Sequence, residues 1–402
     1  MAKTQVSSLG FRAPICHQDR TALRIKQPKR GVRVRGQSRQ SPVDQRIIDL
    51  YDSFTHGEIN RRSFLDRLAT IAGSNVAALA LLPLLQNDYA RAAIVPADDA
   101  RLAIGMVSYQ APETPINGYL ARLKEKVKRP AIIVVHENRG LNPHIQDVAR
   151  RFGLEGFLCL AVDMLSPLGG TPADEDQARD MISTLNPGDT ARRIAAAVPF
   201  LEQHPESTGK VGIVGFCWGG GIVNRVAVLA PDLKAGVIYY GLQVPADQVK
   251  PIRAPLLLHY AGLDQRVNAG IADYEAALKA NNKQYTIYMY PNVNHAFNND
   301  ASNRYDKAAA ELAWSRTVAF FKEHLGRSAR GSAARGRAIR ARCGAIVRRD
   351  QARRQAAGRS ASHFRRPEWA HSTPAIRSMT TACRIPDRRL KTRSVPRHGR
   401  RA

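Results

Sequence analysis

A cysteine stands among glycines in the segment 215–221, which reads Gly-Phe-Cys-Trp-Gly-Gly-Gly. An apolar run precedes this segment and a helical pattern follows it, so it has the form of a nucleophile elbow, Gly-x-Nuc-x-Gly, with Cys217 in place of the usual serine. Glycines are needed because so tight a turn from strand to helix leaves no space for neighbouring side chains. The N-terminal end of the helix would stabilise a thiolate. The alternative is a buried structural cysteine in a glycine-rich turn.

Two further residues complete the set that nucleophilic catalysis needs. His295 follows a predicted strand that ends at 290, and Asp264 follows a predicted strand at 255–259. The chain order Cys, Asp, His is that of the α/β-hydrolases, in which the acid orients the histidine and the histidine relays protons to and from the nucleophile. Histidines at 136, 144 and 259 have weaker placements. The alternatives are an ordinary turn residue at Asp264 and a surface histidine at His295.

A second acid lies close to the predicted elbow. Glu137 ends the apolar run 130–136, at the carboxyl edge of the predicted sheet. A carboxylate there could accept a proton from the thiol or hold it in an inactive pose, or it could only cap the helix that follows. In this geometry the backbone N–H groups of Asn138 and Trp218 are the expected oxyanion-hole donors.

These residues resemble those of the dienelactone hydrolases, also called carboxymethylenebutenolidases, which are α/β-hydrolases with a Cys-Asp-His triad. The matching segments lie between 130 and 325: Glu137 with Gly-Leu-Asn at 140–142, Asp-Met-Leu at 163–165, the elbow, Gly-Leu-Asp at 262–264 and His-Ala-Phe at 295–297. The resemblance implies hydrolysis of a small-molecule enol-lactone to a keto acid. It also implies that Glu137 interacts with the thiol until substrate binds.

One position departs from the family pattern. The best-known members carry an arginine shortly after the catalytic histidine, to pair with the substrate carboxylate, whereas this sequence reads His-Ala-Phe-Asn-Asn at 295–299. Arg179 is the remaining candidate for that pairing. Hydrolase chemistry is therefore better supported than the dienelactone substrate, and the alternative function is a general carboxylesterase or thioesterase of the same fold. No cluster of metal ligands stands out in the sequence, so neither a metal nor an organic cofactor is expected.

The elements that must position these residues alternate along 94–326. Apolar runs predict strands and the amphipathic stretches between them predict helices. The predicted strands are 130–136, 158–162, 210–215, 235–240, 255–259 and 285–290, and the predicted helices are 145–154, 190–204, 221–229, 269–280 and 308–324. This pattern predicts an α/β-hydrolase fold, a mainly parallel sheet with helices on both faces. The hydrophilic segment 167–188 should lie over the carboxyl edge of the sheet.

The positive charge of the chain lies at its two ends. Of 402 residues, 61 are Lys or Arg and 34 are Asp or Glu, but 1–42 hold 10 basic and one acidic residue, and 327–402 hold 22 and 3. Residues 43–326 therefore carry 29 basic and 30 acidic side chains. The high isoelectric point is thus no property of the fold, which argues against nucleic-acid binding as the main function. Five widely spaced cysteines without a Cys-x-x-Cys pair argue against a zinc ribbon, a redox dithiol or a disulfide scaffold.

Residues 43–93 contain the parts of a twin-arginine export signal. Arg61 and Arg62 precede Ser-Phe-Leu, a short apolar stretch at 68–85 and Ala-Arg-Ala at 90–92. We therefore predict a protein exported to the periplasm. The stretch is too short, and too diluted at 73–75, for a stable membrane span. The alternative is an amphipathic helix packed on the domain of a cytoplasmic protein. The long region before the arginines would be explained if the native chain starts at Val43.

The ends complete the predicted organisation. Residues 1–42 and 327–402 lack hydrophobic periodicity and are predicted to be a disordered basic extension and a disordered Arg-rich tail. With 21 Arg and 1 Lys, the tail is typical either of a cationic arm or of a GC-rich reading frame translated past a frameshift. Between them lie the signal region 43–93 and one hydrolase domain, 94–326. The sequence carries no indication of the oligomeric state.

Overall fold

The computed structural model describes residues 43–89 and 93–326. The chain divides into two units, Met1–Ala333 and Ala334–Ala402, and the second lies outside the described residues. So do the predicted disordered ends at 1–42 and 327–402. The described part contains an eight-stranded sheet in the order β1-β2-β4-β3-β5-β6-β7-β8. Its strands are β1 (Leu102–Gln110), β2 (Pro115–Leu123), β3 (Arg129–Val135), β4 (Leu158–Val162), β5 (Ser207–Phe216), β6 (Ala235–Tyr239), β7 (Leu256–Ala261) and β8 (Tyr285–Tyr290).

Helices precede, connect and follow these strands. They are α1 (Gln45–Thr55), α2 (Arg61–Ala72), α3 (Asn75–Leu85), α4 (Pro143–Leu154), α5 (Glu175–Ser183), α6 (Pro187–Ala195), α7 (Ala197–Glu202), α8 (Trp218–Leu229), α9 (Gln265–Asn268), α10 (Ile271–Ala280) and α11 (Lys307–His324). The predicted single helix at 190–204 is two helices, α6 and α7. Pro199 accounts for the break, because its ring would clash with the carbonyl of residue 195 in a continuous helix.

The sheet is mainly parallel, as predicted. All neighbours from β4 through β3 to β8 pair in parallel, while β1 and β2 form an antiparallel hairpin that joins the edge at β4. The hairpin was not predicted from the sequence. Most of β1 is exposed or half-buried, so this strand lacks the apolar run that marks the central strands.

Helices cover both faces of the central strands. β3 is buried along its whole length, and its successive side chains point to opposite faces of the sheet. Ala131, Ile133 and Val135 belong to one hydrophobic cluster, and Ile132 and Val134 to another. A strand buried on both sides reads as a continuous apolar run, which is why β3 could be predicted.

The hydrophilic segment 167–188 lies at the carboxyl end of β5. It contains α5, whose buried Ala178 and Ile182 form a small cluster with Leu165. Trp218, the residue directly after Cys217, packs against the same cluster. The segment therefore contacts the elbow, which agrees with its predicted place over the carboxyl edge.

The helices α1, α2 and α3 share a hydrophobic cluster of their own. Phe54 of α1 stacks on Phe64 of α2 with ring centroids 4.7 Å apart, and Leu68 is fully buried beside them. Asn60 caps α2 by accepting a hydrogen bond from the backbone N–H of Ser63. Among the described residues no single helix has both the length and the apolar character to cross a membrane. Only α2 and α3 together meet those criteria, and they are bent by 110°.

Candidate active site

Cys217 occupies the sharp turn between β5 and α8. Its backbone has φ 53° and ψ −117°, in the left-handed region that residues other than glycine seldom adopt. Such a conformation costs on the order of 1–3 kcal/mol and persists only where the surroundings enforce it. The turn places the sulfur at the N-terminus of α8, whose dipole favours a negative charge. The side chain is 6 % exposed.

The glycines of the elbow are required by close approaches. A Cβ on Gly215 would lie 2.3 Å from the carbonyl oxygen of Gly219. A Cβ on Gly219 would lie 2.3 Å from the carbonyl oxygen of His136, at the end of β3. Both contacts are with backbone atoms, so no side-chain movement could relieve them. The sequence interpretation of these glycines therefore agrees with the packing.

His295 and Asp264 lie together at the carboxyl ends of β8 and β7. Nδ1 of His295 and Oδ2 of Asp264 are 2.5 Å apart, and both side chains are buried. The other carboxylate oxygen of Asp264 accepts from the N–H of Val267 at 3.1 Å. Nδ1 of His295 is thus the donor, and Nε2 is the nitrogen left to face the sulfur.

The electrostatics of this pair favour an imidazolium beside a carboxylate. Burial alone would lower the pKa of His295, but the neighbouring Cys217 sulfur and Asp264 carboxylate outweigh it and raise the pKa from 6.5 to about 10. Burial would raise the pKa of Asp264, but the charge and hydrogen bond of His295 lower it overall. One ring nitrogen of His295 and the sulfur of Cys217 lie within 4.8 Å of each other.

Glu137 is buried next to the elbow, and both of its carboxylate oxygens have partners. Oε2 accepts from Nδ2 of Asn299 at 2.7 Å, and Oε1 accepts from the Tyr240 hydroxyl at 3.3 Å. Asn299 is therefore directed at Glu137. The alternative that Glu137 caps the following helix is wrong, because Asn142 is the N-cap of α4 and accepts from the N–H of Ile145.

Of the predicted oxyanion-hole residues, Trp218 directly follows Cys217, and Asn138 lies just beyond the end of β3. Trp218 is the first residue of α8, so its N–H has no partner within the helix. Its ring stacks on that of His136, with centroids 5.2 Å apart. The side chain of Asn138 donates from Nδ2 to the carbonyl oxygen of Thr55, the last residue of α1, at 2.8 Å.

Arg179 lies on α5 and packs against α1. Its guanidinium donates to Asp176 and Asp180 at 2.8 Å each and stands 4.5 Å above the ring of Phe54. Within the described residues, none of these contacts is with Cys217, Asp264, His295 or Glu137. The charge of Arg179 is thus already paired, which leaves it poorly placed to bind a substrate carboxylate.

Sequence reasoning missed His56, which directly follows α1. Its Nε2 is 3.4 Å from Sγ of Cys217, and its Nδ1 is 2.7 Å from the carbonyl oxygen of Asp52. Burial, followed by the charge of His295, lowers the pKa of His56 well below 6.5. The ring is therefore neutral, with Nδ1 donating to the carbonyl and the lone pair of Nε2 facing the thiol. No motif marks His56, and 161 positions separate it from the cysteine.

His56 also completes a group of potential metal ligands that the sequence did not reveal. No ligand cluster was visible in the sequence, but the fold brings His56, Cys217 and His295 together, with their ligating atoms within 4.8 Å of one another. A cavity of about 310 Å³ opens beside the two histidines. Arg266 lines this cavity, is partly exposed and stands 3.8 Å from Glu58, so it is a second cation that the sequence did not suggest.

Further contacts join α1–α3 to the hydrolase fold. Oδ1 of Asp52 pairs with Arg304. The Tyr51 hydroxyl accepts from Arg139 at 3.1 Å, and the Leu84 carbonyl accepts from Asn303 at 2.8 Å. The region predicted as an export signal is therefore helical and packed on the domain in its folded state. Whether it also directs export stays a prediction, and the Ala-Arg-Ala at 90–92 lies outside the described residues.

A mainly parallel sheet with helices on both faces, and a strained nucleophile elbow after β5, define an α/β-hydrolase. Residues 116–325 match the model of the dienelactone hydrolase family, and residues 36–73 match a model described as YqhI-like. The chain belongs to the dienelactone hydrolase family. It is thus a hydrolase that acts on lactone or ester bonds.

Individual relatives agree with this assignment. An Escherichia coli protein described as a carboxymethylenebutenolidase is 31% identical over 250 residues, which cover 58% of this chain and 92% of the relative. A Bradyrhizobium protein described as a 2-oxo-3-(5-oxofuran-2-ylidene)propanoate lactonase is 29% identical over 221 residues, 52% of this chain and 89% of that protein.

Two solved structures have the same fold. A Klebsiella pneumoniae protein described as a dienelactone hydrolase is 28% identical, with a TM-score of 0.50 over 55% of this chain and 98% of that one. A dienelactone hydrolase-like promiscuous phosphotriesterase from metagenomic libraries is 25% identical, with a TM-score of 0.52 over 56% of this chain and 100% of that one.

Proposed function

We propose that the protein hydrolyses a lactone through Cys217 as nucleophile, His295 as proton carrier and Asp264 as the acid that orients His295. The observation that best supports this proposal is that the strained elbow at Cys217 lies next to the buried His295–Asp264 pair. Backbone strain of this kind is typical of functional sites, and a ring nitrogen of His295 lies within 4.8 Å of the sulfur, which supports the proposal.

The reaction proceeds in two halves. The sulfur attacks the carbonyl carbon after its proton passes to Nε2 of His295, and the N–H groups of Trp218 and Asn138 hold the resulting oxyanion. The tetrahedral intermediate collapses to a thioester, and His295 gives the proton to the departing ring oxygen. Water then gives a proton to His295 and attacks the thioester. Collapse returns the thiol and releases the hydroxy or keto acid.

We assign Glu137 a positioning role next to the elbow. Its carboxylate accepts hydrogen bonds from Tyr240 and Asn299, and burial followed by the charges of Glu137 and Cys217 raises the pKa of Tyr240. Glu137 therefore holds Tyr240 and Asn299 in place beside the elbow. Each of its carboxylate oxygens keeps a second lone pair, so Glu137 could also accept a hydrogen bond from the thiol, the interaction that the family resemblance implies.

A trapped acyl-enzyme tests the mechanism. The full chain is mixed with an activated ester, quenched with acid within one turnover and digested, and the peptide masses are measured by mass spectrometry. We expect the acyl mass on the peptide that contains Cys217, and its loss on treatment with hydroxylamine, which cleaves thioesters. An acyl group on another residue, or turnover without any acyl-enzyme, would contradict the proposal.

Substrate preference separates the lactonase from the alternative, a general carboxylesterase or thioesterase. We expect that a lactone with a carboxylate is preferred over its matched counterpart without one by at most about tenfold in kcat/KM. The reason is that Arg179 is already paired, and an unpaired buried carboxylate costs about 1–3 kcal/mol. A panel of lactones, open-chain esters and thioesters of equal acyl length provides the measurement.

A strong preference for carboxylated lactones would contradict that expectation and require a cation. Arg266 would then be the first candidate, since it lines the cavity beside His295. Arg266→Ala should abolish the preference in that case, with Arg179→Ala as the matched control.

We also propose twin-arginine export, on the sequence pattern of residues 43–93. A fusion of residues 43–95 to a reporter should reach the periplasm, and changing both Arg61 and Arg62 to Lys should keep the reporter inside. The intact mass of the exported native protein reports whether α1–α3 remain attached. A reporter that stays inside with both arginines present would refute the proposal and favour the cytoplasmic alternative.

A further inference from the structure

The cluster of His56, Cys217 and His295 offers one sulfur and two imidazole nitrogens within 4.8 Å of one another. We propose that these three side chains bind a Zn²⁺ ion, which coordinates the sulfur of Cys217 and thereby inhibits the hydrolase. The inhibition rests on the proposed function of Cys217, whereas the metal binding stands independently of it. The third ligand comes from the N-terminal helices, outside the segment that matches the hydrolase family.

The donor separations fit this metal. Zn–S bonds of about 2.3 Å and Zn–N bonds of about 2.0–2.1 Å at tetrahedral angles place sulfur and nitrogen about 3.5 Å apart. Nε2 of His56 is 3.4 Å from Sγ of Cys217. The remaining separations, none above 4.8 Å, need to close by at most about 1.5 Å, which side-chain rotation supplies.

Both histidines are oriented as zinc ligands usually are. Nδ1 of His295 donates to the Asp264 carboxylate at 2.5 Å, and Nδ1 of His56 donates to the Asp52 carbonyl at 2.7 Å. Acceptors on the far nitrogen fix the tautomer and make Nε2 a better ligand. Nε2 of His295 is buried and has no hydrogen-bond partner in the described part of the chain. The Cys217 sulfur faces this atom, so a metal ion between the two would bind both.

The surroundings attract a cation. The cavity beside the two histidines is lined by the carboxylates of Asp49, Asp52, Glu58 and Asp264, with Arg266 as a lining cation. Three positive charges face these four carboxylates: Arg304 pairs with Asp52, Arg266 stands 3.8 Å from Glu58, and the imidazolium of His295 pairs with Asp264. The balance of charge around the cavity therefore remains negative. A negative cavity raises the local concentration of divalent cations.

The donor types select the metal. A thiolate with two imidazoles suits Zn²⁺, whereas Mg²⁺ and Ca²⁺ prefer oxygen ligands. Binding releases the thiol proton of Cys217, and any proton on Nε2 of His295, to solvent, without electron transfer. With three protein ligands, the fourth position is left to water. The sulfur is then bound to the metal and cannot attack a carbonyl.

Metal binding is tested first, without reference to activity. Co²⁺ replaces Zn²⁺ in such sites and gives sulfur-to-cobalt charge-transfer absorption. We expect this absorption on titrating the full chain, its displacement by Zn²⁺, and its loss in Cys217→Ala. The last comparison is essential because the chain has five cysteines.

The contribution of His56 is tested by calorimetric titration with Zn²⁺. His56→Ala and His56→Gln should each bind Zn²⁺ at least about tenfold more weakly. Loss of a hydrogen-bond partner of a metal ligand already costs about tenfold or more in affinity, and loss of the ligand itself should cost more. Glutamine can still donate to the Asp52 carbonyl, so it separates metal ligation from helix packing. His204→Ala removes a histidine outside the cluster and should leave the affinity unchanged.

Inhibition is tested last. Zn²⁺ should inhibit hydrolysis reversibly, EDTA should restore it, and His56→Gln should need at least about tenfold more Zn²⁺ for the same inhibition. Equal affinities in wild type and both His56 variants, or no charge-transfer absorption, would overturn the zinc site. If instead Cys217→Ala kept its hydrolytic activity, the proposed function would fail while the metal result stood.

Discussion

Cys217→Ala is expected to abolish turnover, with a loss of at least about 10⁴-fold in kcat. The alanine leaves the fold of the elbow in place but removes the only group there that can form an acyl-enzyme. Cys217→Ser should retain a small residue of activity, because a hydroxyl is far less acidic than a thiol and the N-terminus of α8 favours a thiolate. Steady-state kinetics on the best ester or lactone of the panel provide the measurement.

Cys159 provides the matched control for that experiment. It is buried within β4, and burial raises its pKa, so it should neither react nor take part in turnover. Cys159→Ala should keep kcat within about twofold, and iodoacetamide should label Cys217 in both the wild type and this variant. Undiminished hydrolysis by Cys217→Ala would show that the nucleophile lies elsewhere.

Asp264→Asn is expected to lower kcat by about 10³–10⁴-fold, the effect of losing the orienting acid in comparable triads. An amide removes the carboxylate that raises the pKa of His295 and can present its own N–H to Nδ1. The ring would then place its proton on Nε2, where it can no longer accept one from the thiol. The alkylation of Cys217 at neutral pH should slow for the same reason.

The control is Asp247→Asn, which changes an exposed carboxylate in the short 3₁₀ turn between β6 and β7. It should leave both the kinetics and the alkylation rate unchanged. Melting curves establish that Asp264→Asn is folded, since Asp264 also accepts from the N–H of Val267. Full activity in a folded Asp264→Asn protein would remove Asp264 from the mechanism.

The central fold could be predicted because its information is local. β3 and β4 are buried throughout and read as apolar runs. The elbow is recognisable by its glycines, whose positions leave no space for a Cβ. The hairpin β1–β2 escaped prediction because an edge strand with an exposed face needs no apolar run. Pro199 indicates the break between α6 and α7. The helical spacing of apolar residues continues on both sides of it, so the sequence pattern predicted one helix.

The site could be predicted only in part, for a related reason. Asp264 and His295 follow recognisable strands, so their chain order indicated their place. His56 follows no recognisable strand. Its place beside Cys217, 161 positions later in the sequence, depends on how α1 packs on the hydrolase fold. The surroundings of Glu137 were equally non-local, because its partner Asn299 lies 162 positions away. The carboxylates that pair with Arg179, by contrast, belong to its sequence neighbours Asp176 and Asp180, and the ring of Phe54 is its distant contact.

The docking of α1–α3 has a consequence for the biosynthesis of the protein. The ribosome makes these helices early, but Gln45 bonds to Asn294, 249 residues later, and Asn303 comes later still. Throughout most of translation α1–α3 have their own apolar cluster but lack these polar partners in the hydrolase fold, and incompletely docked nascent chains are prone to aggregate. The docking of α1 brings His56 to the nucleophile, whereas His295 reaches it only after the segment that follows β8 has been made. We therefore expect the enzyme to be chemically silent until synthesis of the hydrolase fold is nearly complete.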